Sequence, residues 1–302
     1  IVGLYDKGEV RFLSFGEKVK GGNAPDEKTL FETGSLTKTF TSLLFSIAID
    51  KGLVTNDTTL AEIRPEWKNQ KAGSIRLIEL ATHRSGLARL PCNLVVTDNT
   101  NPYAHYTEED LIQSLLDSPT CHLGDHPSST IQYSNWGSAL LGNAIMVRAG
   151  LSYPELLSRW ITGPLKMEDT IIKPTLEQRG RLAQGYNAAM KPNGLWDRLG
   201  LIGNGAVIST AADLILYAEA LLHPEKTPFE SAIRRVETLQ FGYIAYNWFV
   251  TPAGSIWHNG MTGGYASLFK AYLKRDQAVF ALSNTESDVT CLIEAFEALP
   301  CN

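Results

Sequence analysis

Strand-like patterning stands at both ends of this chain, with helical patterning between. Ile1 to Asp6, a Lys7-Gly8 turn and Glu9 to Phe15 read as a hairpin. Toward the other end, Tyr243 to Val250, Ser255 to His258, Ala266 to Lys274 and Ala278 to Ser283 read as antiparallel strands. A last helix there carries Val289, Leu292, Ile293 and Phe296 on one face. Strands need partners, so the two termini are expected to build one layer and the middle to be an insertion. The predicted fold class is α+β. An α/β lobe with an antiparallel sheet flanked by helices comes from 1–55 and 200–302, and a mainly helical lobe from 56–199.

The helical readings rest on period. From Ser35 onward, Phe40, Leu43, Leu44, Ile47 and Ala48 make an apolar stripe that Gly52 closes. Glu108 to Leu116, Ser138 to Val147 and Tyr153 to Ile161 are further helices, and Thr210 is the expected N-cap of Ala211 to Leu222. The longest apolar stretch near a helix, Leu43 to Ile49, is far too short to span a bilayer. The opening Ile1-Val2-Gly3-Leu4-Tyr5 is a strand rather than a leader, so any leader is expected to have been removed.

Charge narrows the partners. The net charge is −5 with no dense run of Lys and Arg, which leaves no electrostatic footprint for nucleic acid. The four cysteines form no CxxC pair, and an even count permits two disulfides and an oxidising compartment. Cys92–Cys121 is the expected pair, because both lie in irregular segments of one lobe. Joining Cys291 to Cys301 requires the tail to turn back at Pro300.

Three short motifs could carry chemistry. Ser35-Leu36-Thr37-Lys38 opens the striped helix, where residues three apart share a face. A serine hydroxyl needs a neighbouring base, and a lysine supplies one when burial disfavours its ammonium. The helix N-terminus also aims N–H groups at an oxygen that becomes negative. Such a four-residue pattern recurs by chance in many chains. Tyr133-Ser134-Asn135 precedes an apolar run: a phenol can relay a proton and an amide can orient Lys38 and substrate, yet a capped helix start reads the same way. His258-Asn259-Gly260 could let a ligand lie along a strand edge, with the N–H of Met261 completing an oxyanion hole, or could be a Gly-rich turn.

In this order the three motifs resemble S-x-x-K, Y-x-N and [KH]-x-G of the serine β-lactamase and penicillin-recognising D-alanyl-D-alanine peptidase superfamily, most closely its class C-like branch. The likeness extends to Leu80-Ala81-Thr82-His83-Arg84-Ser85-Gly86-Leu87, to Gly163 through Thr170, and to Gly203 through Ala211. It implies a β-lactamase/transpeptidase-like fold with the site in a cleft between the lobes. Ser35 would be nucleophile, Lys38 its base and Tyr133 the proton shuttle. Asn135 would bind the substrate amide, the N–H groups of Ser35 and Met261 would form the oxyanion hole, and His258, Asn259 and Gly260 would line the wall beside the substrate carboxylate.

The chain departs from the pattern where class C enzymes carry Lys and Thr, having His258 and Asn259 instead, which weighs against β-lactam hydrolysis more than against acylation. A histidine there is expected to hold a carboxylate while protonated, below about pH 6.5. The helix that usually precedes the first strand is absent from this sequence, and nothing resembles the glutamate-bearing loop of class A enzymes.

The implied activity is hydrolysis of a β-lactam or D-Ala-D-Ala-like amide through a Ser35 acyl-enzyme. The alternatives are a carboxylesterase or D-amino-acid amidase on the same scaffold, and a penicillin sensor that acylates and stalls. A periplasmic or extracellular monomer acting on a small molecule or peptidoglycan-like peptide is expected, without cofactor. Cys121, His122, Asp125 and His126 cluster in sequence, but Gly124 and Pro127 make a loop there rather than a metal-binding helix face, so no metal is expected.

Overall fold

The computed structural model describes residues 1–116 and 130–291. Lys7 and Gly8 both take positive φ, 50° and 92°, the turn whose twist matches that of paired strands. It joins β1 (Val2–Asp6) to β2 (Glu9–Leu13). Further along come β3 (Phe31–Glu32), β4 (Ile208–Ser209), β5 (Phe249–Val250), β6 (Ile256–Met261), β7 (Ala266–Tyr272) and β8 (Gln277–Ser283). Six of them form one sheet in the order β2-β1-β8-β7-β6-β5, antiparallel throughout. Val2 stands opposite Ala281, so the first strand and the last share one register. The fold is α+β, with an antiparallel sheet flanked by helices.

The strands from Ala266 onward form, the first ending at Tyr272 rather than Lys274 and the second starting at Gln277, but Tyr243 to Val250 is not one strand. Gly242 and Asn247 take φ of 53°, which folds the segment into tight turns and leaves two residues paired to β6. Helix α1 (Thr37–Asp50) differs from its expected stripe: every residue from Thr37 to Ala48 is buried. Its polar positions tolerate this because each finds a partner. Thr41 donates to the Gly203 carbonyl at 2.7 Å, Ser46 to Ala232 at 2.8 Å, and Ser42 accepts from Asn247 at 2.7 Å.

Around α1 pack α2 (Asn135–Ala149), the short α3 (Ile202–Gly205) and α5 (Glu230–Glu237). Helix α4 (Ala211–Leu222) packs on the sheet, capped by Thr210 accepting from the Asp213 N–H at 3.2 Å. Tyr153–Leu157 is helical and runs into a π-helical turn at Ser158–Thr162. No helix among the described residues is long and apolar enough to cross a membrane.

Cys121 and the neighbouring His122, Asp125 and His126 lie outside the described residues, as do Val289's expected helix partners Leu292, Ile293 and Phe296. Cys92 is disulfide-bonded. Cys291 is an exposed free thiol, and Cys301, its expected partner, lies outside the described residues.

Candidate active site

Ser35 does not begin an α-helix. It sits in a 3-10 turn, Gly34–Leu36, and α1 starts two residues later. Gly34 has φ of 53°, and a Cβ there would meet the Met261 nitrogen at 2.7 Å. Strand β6 lies so close to this turn that a Cβ on Gly260 would stand 2.0 Å from the Thr33 carbonyl and 2.8 Å from the Ser35 nitrogen. Only glycine fits such an approach. The expectation that Gly260 clears space for a ligand is therefore corrected in part: it lines the cavity, but its missing side chain makes room for the serine's own turn.

Lys38 is buried, and its Nζ donates to Ser35 Oγ at 2.9 Å and to the Asn204 carbonyl at 2.7 Å. Burial drives its pKa well below the ordinary lysine value, and the charges of Arg198 and Arg89 push the same way. The amine is thus biased toward its basic, neutral form. Its nitrogen also stands 5.1 Å from the centre of the Tyr133 ring. Burial pushes the Tyr133 phenol up to about 12, against the opposing pull of its hydrogen bond with Ser35 and of the two arginines. At neutral pH it is a phenol, not a phenolate.

The turn that carries Tyr133 is both capped helix start and site. Ser134 accepts from the Gly137 N–H at 2.9 Å, so α2 begins at Asn135. The Asn135 Oδ1 is buried without a partner, in a residue that lines the cavity. The segment 83–89 clamps this turn from below. The His83 carbonyl accepts from Gln132 at 2.7 Å, its Nδ1 from Ser134 at 3.2 Å, and the Arg89 carbonyl from Asn135 at 2.9 Å. The His83 ring packs 4.5 Å from that of Tyr133. His83 is buried and strongly biased to the neutral form, first by desolvation.

His258 corrects the sequence reading most. Along β6 the burial alternates, so Asn259 and Met261 face outward while His258 points inward and is fully buried. Its ring lies 6.2 Å from Tyr133 and 5.4 Å from Phe249, with Nδ1 against the Asn259 carbonyl at 2.6 Å. Burial, with Lys38 beside it, lowers its pKa to about 3. Biased that far toward its neutral form, the imidazole supplies no standing cation for a carboxylate.

Ser35, Tyr133, Asn135, Asn259, Gly260 and Met261 open on one cavity of about 620 Å³. Lys38 reaches it through Ser35, and His258 lies behind its wall. Tyr103, Trp196, Arg89 and Arg198 also line it, and sequence reasoning missed all four along with His83 and Asn204. His83 and Asn204 stood inside recognised segments; the others had no motif to mark them. Among the described residues no group of three or more His, Cys, Asp or Glu could hold a metal ion.

Known proteins resemble this chain in sequence and in fold. The beta-lactamase family profile matches residues 1–298. A beta-lactamase of Yersinia enterocolitica is 25% identical over 276 residues, 86% of this chain and 67% of that protein. The D-alanyl-D-alanine-carboxypeptidase/endopeptidase AmpH of Escherichia coli K12 is 29% identical over 238 residues, 76% of this chain but 58% of that one. The chain therefore spans about three-fifths to two-thirds of these relatives. In structure it resembles a beta-lactamase/D-alanine carboxypeptidase of Pseudomonas syringae, with a TM-score of 0.84 at 19% identity covering 99% and 93% of the two chains. A class C beta-lactamase gives 0.83 at 20% identity, covering 100% and 91%.

Proposed function

The chain belongs to the beta-lactamase family, and from that premise we propose that it is a serine hydrolase cleaving a β-lactam or D-Ala-D-Ala-like amide through an acyl group on Ser35. The observation that carries this reading is the 2.9 Å contact between Ser35 Oγ and a buried Lys38 Nζ. A neutral lysine amine keeps two N–H donors and one lone pair. One donor is held by Asn204; in the neutral amine the 2.9 Å contact with Ser35 reverses, the hydroxyl donating to the lone pair that takes its proton.

In the first half-reaction Ser35 Oγ bonds to the substrate carbonyl carbon while its proton passes to Lys38. The negative oxygen lies between the N–H groups of Ser35 and Met261, and Tyr133 relays the proton to the departing nitrogen. In the second, water loses a proton along the same path, attacks the ester and releases Ser35. Asn135 holds the substrate amide, and Asn259 and Gly260 form the edge beside it.

Two coarser features belong to this reading. Residues 1–55 and 200–302 form one lobe and 56–199 the other, with the cavity between them. The protein works as a monomer in the periplasm or outside the cell, where Cys92–Cys121 forms.

A carboxylesterase is the second reading, favoured by the neutral, buried state of His258, which leaves the third motif without the cation an anionic amide would use. Rates on a cephalosporin, a D-Ala-D-Ala peptide and a p-nitrophenyl ester separate the two. The shared acyl-enzyme is tested by Ser35→Ala, which is expected to lose both turnover and covalent labelling by a fluorescent penicillin. Full labelling of that variant would sink it, and a burst without turnover in the wild type would mark a sensor.

A further inference from the structure

The cavity holds a charge that the serine chemistry leaves unused. Arg198 is only 7% exposed, with its guanidinium carbon 4.7 Å from the centre of the Tyr103 ring and 4.8 Å from that of Trp196. Its Nη1 donates to the Asn204 side-chain oxygen at 2.7 Å, while its Nε is buried with no acceptor. A guanidinium keeps its proton at any working pH, so this charge is permanent. Burying it is costly unless an anion answers it.

The fold answers it, among the described residues, only at longer range, through the charge of the buried Glu32. Among the described residues, no carboxylate lies within ion-pair distance of Arg198. The buried acid nearby, Glu32, spends one oxygen on the Trp196 N–H at 2.7 Å, and desolvation biases it toward the uncharged form. Asn204 offers a dipole but no charge. Arg89 faces the same cavity with a second guanidinium, its carbon 5.1 Å from the Tyr133 ring centre, and Glu286 is the one acid lining it among the described residues. The cavity around Ser35 is therefore cationic.

We propose that Arg198, assisted by Arg89, holds the carboxylate of the substrate, in the place the sequence assigned to His258. Contacts with the Tyr103 and Trp196 rings, themselves 5.3 Å apart edge to face, hold the guanidinium in one pose, so a planar carboxylate can pair with it at small entropic cost. The preferred substrate is then an acyl compound bearing an anionic group beside the scissile bond. Arg198 acts as a specificity residue, within the reading of Ser35 as nucleophile.

The test uses two aryl esters that differ in one charge, 3-carboxyphenyl phenylacetate and its methyl ester. The wild type is expected to prefer the anionic ester in kcat/KM. Arg198→Gln should reduce that preference about tenfold to a hundredfold, the range for one charge-assisted hydrogen bond, with the change carried mainly by KM. Arg198→Lys should restore part of it, as a point charge without the planar fork. Gly205→Ala perturbs the site without removing the charge: a Cβ there would meet Nη1 at 2.6 Å and the guanidinium carbon at 2.8 Å, and it should lower the same preference. A wild type indifferent to the carboxylate, or equal losses on both esters in Arg198→Gln, overturns the proposal. The wild-type comparison needs no variant to fold. Failure of the nucleophile assignment is a separate result, seen as turnover of the neutral methyl ester by Ser35→Ala.

Discussion

The main-chain oxygen of Asn204 accepts from Lys38 Nζ at 2.7 Å, while the side-chain oxygen of the same residue accepts from Arg198. One residue of a four-residue helix thus positions both the base candidate and the nearest fixed positive charge. The consequence is electrostatic. Arg198 cannot lose its proton, so Lys38, already desolvated, is the group that yields.

If Lys38 is held neutral as a base, replacing it by a residue of similar volume should damage catalysis and spare the fold. Lys38→Met is expected to lower the acylation rate by about 10²–10⁴-fold, the usual range for a lost general base, with a melting temperature equal to or above that of the wild type because a buried amine is gone. Tyr133→Phe should also be slow, and the double variant little worse than the slower single one, since the groups move one proton between them. Stopped-flow acylation with calorimetry checks this. Additive losses would mean the two residues act separately.

Much of this was legible before any coordinates. The Lys7-Gly8 turn, the Thr210 cap and the late strands are local, set by turn chemistry and period, and the sequence states them directly. Ser35 and Lys38 are three residues apart, so one helical turn fixes their contact. His258 failed because a strand's alternation decides which neighbour faces the cavity, and phase along a strand follows from pairing rather than from a motif. Arg198 was invisible, and the role of Asn204 went unread inside the recognised 203–211 segment, for a different reason. Their roles arise from contacts between α3, α1 and an irregular segment, which no spacing records.

Gly260 is expected to tolerate no side chain. In Gly260→Ala the new carbon would fall 2.0 Å from the Thr33 carbonyl, an atom of the backbone that leads into the Ser35 turn. Either β6 or that turn must move, at a cost on the order of 1–3 kcal/mol. Activity toward both esters should fall together with the melting temperature. A variant of wild-type stability and activity would show that the approach is looser than the structure has it.

The buried histidines should be silent in titration. His83 and His258 are held neutral by burial, the latter down to about 3, so their NMR resonances should not move between about pH 5 and 8. Their folded values lie below the unfolded value of 6.5. Their contribution to stability is therefore present above that pH and is lost as the pH falls toward the folded values. A His258 resonance titrating near 6.5 would reinstate it as a carboxylate ligand.

Cys92 should resist alkylation under denaturing, non-reducing conditions while Cys291 reacts at once. If the partner is Cys121, peptide mapping will recover the two together. Reduction should then cost about 3–4 kcal/mol in the chain-entropy account of a loop this long. Recovery of Cys92 as a free thiol would remove the bridge.

Glu237, far from the chemistry, should govern the alkaline side of stability. It ends α5 with Oε1 buried and unpartnered, and burial raises its carboxyl from 4.5 to about 8, only partly opposed by Arg234. The folded value lies above the unfolded one, so the folded chain binds the extra proton between them. Stability from this group is complete below about pH 4.5 and is lost as the pH climbs toward 8. Glu237→Gln keeps the shape and removes the titration, while leaving an amide buried at a cost of about 1–3 kcal/mol at every pH. The sign at any single pH is therefore uninformative, and the diagnostic is the slope. Between pH 4.5 and 8 the wild type should lose up to about 4 kcal/mol more than the variant, the free energy of a shift of that size. Asp213, raised to about 6 by its own burial, is common to both proteins and leaves a residual slope below pH 6 in each. Parallel denaturation profiles across the whole interval would show that Glu237 ionises freely in the folded protein.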